Sequence, residues 1–206
     1  MFKRVNPNAP RRRPIIKSII SFYLDFRYGG KLLDKEKASP FLEKGSYHTQ
    51  SIEYDELDRI FENVCIKPSD VILDLGCGRG RPFNYFLSKK FKGKLIGVEL
   101  DQSIADFTAK RLKRYDNIMV FAGDALDYIE PQVTLYFLFN PFNEAIFREF
   151  ICKIEEICNT TRVVYFNSQH VDFILSRNGW KVEDHTFFSA TRQSDVSCHY
   201  MTYNKE

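Results

Sequence analysis

The stretch VILDLGCGRGRPFNYFLSKK, residues 71–90, constrains the fold most strongly, because an apolar run, a glycine-rich turn and a helical pattern follow one another directly. The apolar run lies between Pro68 and Gly76 and predicts a short buried strand. Pro82 stands in the first turn of the next segment, where a helix tolerates proline. Glycine weakens regular structure, but it permits positive φ and close approach of a ligand to the backbone. The three glycines therefore indicate a binding turn between a strand and a helix.

Strand-like and helix-like patterns continue to alternate along the chain after this turn. Further strands are predicted at 94–100, 117–124, 133–140 and 161–167, and helices at 51–64, 81–91, 103–115, 143–159 and 170–179. Residues 180–190 and 195–204 follow without a helix between them, which predicts an antiparallel hairpin. The pattern predicts an α/β, doubly wound, seven-stranded and mostly parallel sheet with one antiparallel strand near the C-terminus.

The first fifty residues differ from this regular part. We expect a basic tail at 1–14, a helix followed by a lid or linker at 15–50, and the main domain at 51–206. Five apolar residues of the first helix share one face, namely Ile16, Ile19, Ile20, Tyr23 and Leu24. We expect this face to pack on the domain, and the alternative is that it lies on a membrane surface.

The composition and the residue patterns exclude several classes of protein. Hydrophobic residues make up 44% of the 206 residues, which is a globular value, and no apolar run approaches the roughly 18 residues that cross a bilayer. The five cysteines form no CxxC pair and the histidines no HExxH, so we expect reduced thiols, a cytoplasmic location and no metal site. A secretory signal is not expected, and an organelle transit peptide is the alternative for the Arg-rich start.

The charge is distributed unevenly. Six of the 30 Lys and Arg residues lie within 1–17, where there is no acid, so the remaining 24 face 27 acids, a balance of −3. This acidic balance does not indicate a nucleic-acid-binding face on the main domain. The tail is expected to be a solvated arm, with contact to RNA, an anionic membrane or an acidic partner as the alternatives.

An acidic residue follows the glycine turn at the sequence separation that is typical of nucleotide-binding sites. Glu99 stands at the end of the second predicted strand, nineteen residues after Gly80, where a carboxylate can accept hydrogen bonds from both hydroxyls of a ribose. Strand end, glycine turn and acid together indicate an adenosine-type ligand. Dinucleotide sites favour G-x-G-x-x-G, whereas this chain has G-C-G-R-G, with one residue fewer between the last two glycines.

Four motifs in order resemble those of the class I S-adenosylmethionine-dependent methyltransferases. VILDLGCGRG resembles the first motif, GVELD the second, AGDAL the third, and FLFNPF stands where the family has its catalytic tetrapeptide. The resemblance covers about residues 51–203. It implies S-adenosyl-L-methionine as the cofactor, held by Asp74, Gly76, Cys77, Gly78, Gly80, Glu99, Leu100, Asp124 and Ala125, with Leu100 and Phe121 around the adenine.

The turn after the fourth predicted strand bears on the substrate. Amine N-methyltransferases of this superfamily have a [DNS]-P-P-[YF] turn, and Asn140, Pro141 and Phe142 match it with one proline fewer. The resemblance implies N-directed transfer to a protein side chain or another amine; an ordinary strand exit is the alternative. His170, Asn167 and Gln169 are candidates for the acceptor pocket or, by default, for helix capping.

A weaker resemblance lies upstream, where GSYHTQ is similar to a segment of small protein-lysine methyltransferases. It implies that Tyr47, Thr49 and Gln50 close over the methionine end of the cofactor. Arg79 and Arg81 are expected to be solvated residues at a helix start. Two other functions stay open: a nicotinamide-dependent oxidoreductase, and a non-catalytic module that binds nucleic acid or membrane.

Overall fold

A computed structural model describes residues 15–31, 33 and 52–205 of the chain. The described residues form one seven-stranded sheet with the strands β1 Val71–Leu75, β2 Lys94–Glu99, β3 Ile118–Ala122, β4 Leu135–Phe139, β5 Thr160–Phe166, β6 Trp180–Ser189 and β7 Ser194–Asn204. Its helices are α1 Ile15–Gly29, α2 Tyr54–Phe61, α3 Arg81–Ser88, α4 Gln102–Leu112 and α5 Glu144–Ile157, with 3-10 turns at Ala125–Tyr128 and Val171–Phe173.

The strand order is β3-β2-β1-β4-β5-β7-β6. Strands β1 to β5 pair in parallel, and β7 pairs antiparallel with both β5 and β6. The sequence-based prediction of a doubly wound, mostly parallel sheet with an antiparallel strand near the C-terminus is confirmed. A turn of only four residues joins β6 to β7, so β7 runs antiparallel to β6. It lies between β5 and β6 and is antiparallel to both.

Both faces of the sheet are covered, as a parallel sheet requires. One core layer packs under α2 and α3 and includes Leu57, Phe61 and Phe83. The other packs under α5 and includes Phe147 and Phe150. The central strand β4 therefore reads LYFLF without alternation, because its neighbouring side chains point into two different cores.

The orientation of α1 contradicts the expected packing. Ser21 and Asp25 face the domain and are buried, whereas Ile19, Ile20 and Tyr23 are exposed. The reason is an ion pair, because Asp25 accepts hydrogen bonds from the buried guanidinium of Arg81.

A second correction concerns the position of Arg81, on the same side of the domain. It is buried, although a solvated residue at a helix start was expected. Its guanidinium also donates to the carbonyl oxygen of Ile52 at 3.0 Å and to Glu53 at 3.2 Å.

Two helix predictions also need correction. The N-cap of α4 is Asp101, whose carboxylate accepts from the backbone N–H groups of Ser103 and Ile104, so the helix begins before Ser103. The helix predicted at 170–179 shortens to the 3-10 turn Val171–Phe173. Asp101 sets the start of α4 because its carboxylate accepts from N–H groups of the first turn that have no partner within the helix.

The described residues include neither a metal-binding cluster nor a membrane-spanning helix. No cluster of three or more His, Cys, Asp or Glu side chains there could hold a metal ion. The described helices are too short or too polar to cross a bilayer. All five cysteines are free thiols.

Candidate functional site

The glycine turn joins β1 to α3 at the carboxyl end of the sheet. Gly76 has φ +76° and Gly78 has φ +52°, values that favour glycine. The backbone N–H groups of Gly76 and Cys77 donate to the carbonyl oxygen of Val98 at 2.9 and 3.0 Å. These bonds hold the start of the turn against the end of β2.

Two side chains of α4 hold the rest of the turn. The hydroxyl of Thr108 donates to the carbonyl oxygen of Gly78 at 2.8 Å. The guanidinium of Arg111 donates to the carbonyl oxygens of Arg79 and Gly80 at 2.8 and 3.2 Å. Burial lowers the pKa of Arg111 to about 10, which leaves it cationic at neutral pH. Neither residue was predicted from the sequence, because nothing in α4 itself marks their partners.

Glu99 lies where the second motif predicted. Its Oε2 accepts from the backbone N–H of Gly78 at 2.9 Å, and its Oε1 accepts from that of Asp101 at 3.0 Å. Burial raises the pKa of Glu99 in spite of these bonds. A carboxylate has about four acceptor positions, so Glu99 keeps capacity for the hydroxyls of a ribose.

Asp74 gives the clearest indication of a cationic ligand. Its side chain is buried, and its Oδ2 has no hydrogen-bond partner among the described residues. Burial, together with the negative charge of Glu99, raises the pKa of Asp74 to about 8. An unpaired buried carboxylate is costly, and a positive charge beside it removes that cost. The residues therefore fit S-adenosylmethionine, which carries a sulfonium and an ammonium group.

Cys77 lies inside the turn as a packed side chain. A Cβ atom built on Gly97 of β2 would stand 2.7 Å from the sulfur of Cys77, so the thiol fills the space that glycine leaves. Burial and the nearby carboxylates raise the pKa of Cys77 above its usual value. The protonated thiol is a poor nucleophile, which favours a packing role.

The residues expected around the adenine lie at the ends of β2 and β3. Asp124 is exposed, and its Oδ1 accepts from the backbone N–H of Leu126 at 3.0 Å. Phe121 is partly exposed and stacks on Tyr128 with 5.3 Å between ring centroids. Leu100 and Ala125 are half-buried. Tyr128 is an addition from the structure, since its ring supports one face of Phe121.

The Asn-Pro-Phe turn lies beside the glycine turn, because β4 pairs directly with β1. A Cβ atom built on Gly76 would stand 3.1 Å from the Cβ of Pro141. Asn140 is buried with φ +40°, and its Oδ1 accepts from the hydroxyl of Tyr165 at 2.9 Å. Phe142 is buried and packs on Phe150 with 6.0 Å between ring centroids.

Tyr165 was not among the predicted site residues. No local pattern links it to Asn140, which lies 25 residues earlier in the chain.

The loop after β5 lies near the Asn-Pro-Phe turn. The sequence indicated helix capping as the default role of its residues, but no side-chain cap is formed at the 3-10 turn that follows. His170 begins the 3-10 turn without a side-chain cap. The backbone N–H of Gln169 donates to the hydroxyl of Tyr165 at 3.4 Å. Ser168 shares a hydrogen bond of 2.6 Å with Nδ1 of His199, whose pKa is lowered by burial. Tyr47, Thr49 and Gln50 lie outside the described residues.

Comparison with known proteins identifies relatives of this site. The model of one family, described as ribosomal RNA adenine dimethylase, matches residues 46–153. A probable cobalt-precorrin-6B C(15)-methyltransferase of Archaeoglobus fulgidus is 28% identical over 57% of this chain and 65% of its own length. A probable ribosomal RNA small subunit methyltransferase A of Methanosarcina acetivorans is 37% identical over 39% of this chain and 29% of its own length. The chain thus spans less than two thirds of either relative.

Solved structures share the fold. A methyltransferase from Pyrococcus furiosus has a TM-score of 0.62 and 14% identity, covering 93% of this chain and 98% of its own. An RNA methyltransferase from Salinibacter ruber, in complex with S-adenosyl-L-homocysteine, has a TM-score of 0.57 and 18% identity, covering 76% and 95%.

The family match extends over 108 of the 206 residues and includes the glycine turn, Glu99, Asp124 and the Asn-Pro-Phe turn. It favours the methyltransferase prediction over the oxidoreductase alternative. The chain belongs to the ribosomal RNA adenine dimethylase family, within the class I S-adenosylmethionine-dependent methyltransferases.

Proposed function

We propose that this chain is an enzyme that transfers a methyl group from S-adenosylmethionine to the exocyclic amino group of adenine in RNA. The observation that carries the transfer is the packing of Pro141 against Gly76, with 3.1 Å from an ideal Cβ on the glycine to the Cβ of the proline. This contact places the Asn-Pro-Phe turn, which would bind the amine, next to the glycine turn, which would bind the cofactor. The choice of RNA rests on the family match over residues 46–153.

The cofactor, when bound, supplies a methyl group that its sulfonium already makes electrophilic. Asp74 and Glu99 would hold its cationic and ribose parts, and the backbone at Gly76 and Gly78 would approach it closely. Phe121 and Asp124 would contact the adenine of the cofactor. Burial, charge and backbone conformation support the roles of Asp74, Glu99 and the glycines, whereas the roles of Phe121 and Asp124 are those that the resemblance to class I methyltransferases implies.

The acceptor is oriented by residues of the chain itself. In this proposal the amide oxygen of Asn140 and the carbonyl oxygen of Pro141 accept hydrogen bonds from the N–H groups of the amine. Two acceptors on those N–H groups favour a pyramidal nitrogen whose lone pair is free to attack. Tyr165 fixes the Asn140 side chain through its 2.9 Å hydrogen bond. Holding the two reactants in line removes much of the entropic barrier.

A protein or small-molecule amine is the second candidate acceptor. The sequence alone favoured this class, and one observation still does: beyond residue 17 the chain has 24 cations and 27 acids. RNA-binding domains usually have a basic face. The family match nevertheless favours RNA over these amines as the methyl acceptor.

The test uses the purified chain and S-adenosylmethionine labelled in its methyl group. RNA transcribed without modification, a protein extract and a small-molecule extract are offered separately. We expect label in RNA, which after digestion to nucleosides migrates with N6-methylated adenosine. Label only in protein or only in small molecules would overturn the RNA acceptor. Cofactor binding with no label in any fraction would support the binding-module alternative.

Asn140→Ala provides the internal control for this assay. It should lower the rate of methyl transfer by about 100-fold or more, because one of two oriented acceptors is lost. Affinity for S-adenosylhomocysteine should change by less than about 3-fold, since Asn140 is assigned to the acceptor side. Tyr165→Phe should give a smaller loss in the same direction.

A further inference from the structure

We infer that α1 forms a surface that binds the anionic face of a lipid membrane. Its outward side carries an apolar stripe made of Ile19, Phe22, Tyr23 and Phe26, with exposed fractions of 61%, 52%, 60% and 56%. The spacing of three, four and seven residues places all four on one side of the helix. Large exposed apolar patches on a soluble domain mark contact sites.

The outward direction of the stripe is enforced from the other side of the helix. Asp25 is buried and pairs with Arg81 at 3.0 Å, and Ser21 is buried beside Glu53. Turning α1 to bury the stripe would leave the Arg81 guanidinium without this carboxylate inside the protein. Of the described carboxylates, Arg81 would then keep only Glu53, at 3.2 Å, as a partner, and removing one partner of a buried charge is strongly unfavourable. The buried ion pair therefore keeps the apolar side of α1 exposed.

Positive charge accompanies the stripe in the sequence and lies at one end of α1. Residues 1–31 contain eight Lys and Arg residues and a single acid, the buried Asp25. Six of the eight precede Ser18, and the exposed Arg27 and Lys31 lie at the other end of the helix. Arg114 also lies there, because its guanidinium donates to the carbonyl oxygens of Arg27 and Tyr28. The described surface of α1 thus presents exposed apolar groups along the helix and cationic groups at its C-terminal end.

An anionic lipid surface matches both properties at once. Interfacial helices bury an apolar side between headgroups while flanking Lys and Arg residues lie among the anionic headgroups. RNA would pair with the cations but offers little to an aliphatic side chain such as Ile19. A second copy of the chain would cover the stripe but would bring two strongly basic segments together. The combined chemistry favours lipid over both.

The test uses the full chain and sedimentation with vesicles of pure phosphatidylcholine or of equal parts phosphatidylcholine and phosphatidylglycerol. We expect binding to the anionic vesicles that weakens as salt is added. A variant with Ile19→Ser, Phe22→Ser and Phe26→Ser should bind at least about 10-fold more weakly. Phe188→Ser is the matched control, because Phe188 is also 56% exposed but lies on the edge strand β6 and not on α1. It should leave vesicle binding unchanged.

Phe22→Trp gives a second measurement that retains the apolar stripe. Its fluorescence should shift to shorter wavelength when anionic vesicles are added, while the native chain, with Trp180 alone, should show no such shift. Absence of the shift would overturn the proposal. So would equal vesicle binding by the triple variant, a concentration-dependent dimer that the triple variant abolishes, or stripe-dependent binding to RNA with none to vesicles.

Discussion

Arg81 and Asp25 form an ion pair of 3.0 Å with exposed fractions of 2% and 0%, although 56 residues separate them in the chain. The Asp25 carboxylate also accepts from the hydroxyl of Tyr54 at 2.7 Å and from the backbone N–H of Leu33 at 3.1 Å. Because Arg81 directly follows Gly80, this pair links α1 to the end of the glycine turn. Helix α1 is thereby part of the support of the glycine turn, the candidate cofactor site.

Asp25→Ala should lower the free energy of unfolding by about 3–5 kcal/mol, since it leaves the Arg81 guanidinium buried without its main counter-charge. Urea denaturation followed by circular dichroism measures the change. Glu144→Ala is the control, because Glu144 pairs with Arg148 on the surface of α5 at 2.7 Å and both side chains are exposed. It should cause a much smaller loss. Equal losses in the two variants would contradict the importance of the buried pair.

Gly76→Ala should impair the site more than Gly30→Ala does. Both glycines have positive φ, +76° and +70°, so each alanine costs about 1 kcal/mol of backbone strain. Only at Gly76 does the new Cβ meet a neighbour, Pro141 at 3.1 Å, whereas Gly30 faces open space. Unfolding measurements should therefore show a loss of stability in both variants, larger in Gly76→Ala, while methyl transfer should fall only in Gly76→Ala. A normal rate in that variant would show that the two turns move apart freely.

Asp74→Asn should stabilise the free protein at neutral pH while weakening cofactor binding. The folded pKa of about 8 lies above the ordinary value of 3.8, so the folded chain retains a proton that the unfolded chain releases. Stability therefore falls as pH rises between about 4 and 8, and Asn removes this fall. The gain at pH 7 should be roughly 1–4 kcal/mol.

Urea unfolding at several pH values and titration with S-adenosylhomocysteine give the two readouts for Asp74→Asn. Asp70→Asn is the opposite control, because the pKa of Asp70 is lowered by bonds that include those from Lys67 and Arg162. That variant should be less stable at pH 7. A pH-independent difference between native chain and Asp74→Asn would contradict the raised pKa.

Glu99→Gln should weaken binding of S-adenosylhomocysteine by about 10-fold or more, because the amide has one acceptor oxygen and Gly78 and Asp101 already occupy both carboxylate oxygens. Isothermal titration calorimetry measures the affinity. Glu149→Gln, an exposed substitution on α5, should leave it unchanged. If Glu99→Gln also bound normally, the ribose would have to be held elsewhere.

Much of the site was predictable, because its residues lie next to features that leave a local pattern. Gly76 and Gly78 follow β1, Glu99 is the last residue of β2, and the ends of parallel strands meet at one edge of the sheet. Thr108, Arg111 and Tyr165 were missed for the opposite reason. Each acts on a partner 25 to 32 residues away, across an intervening element of the fold.

Local pattern was sufficient to predict the order of strands and helices, the glycine turn and the acids at the strand ends, because periodicity and backbone restrictions are local properties. The side of α1 that faces the domain, the burial of Arg81 and the raised pKa of Asp74 are visible only in the folded chain. These properties depend on burial and on charges brought together from distant parts of the chain. An amphipathic pattern predicts that one side of a helix is apolar, but a buried ion pair can turn that side outward.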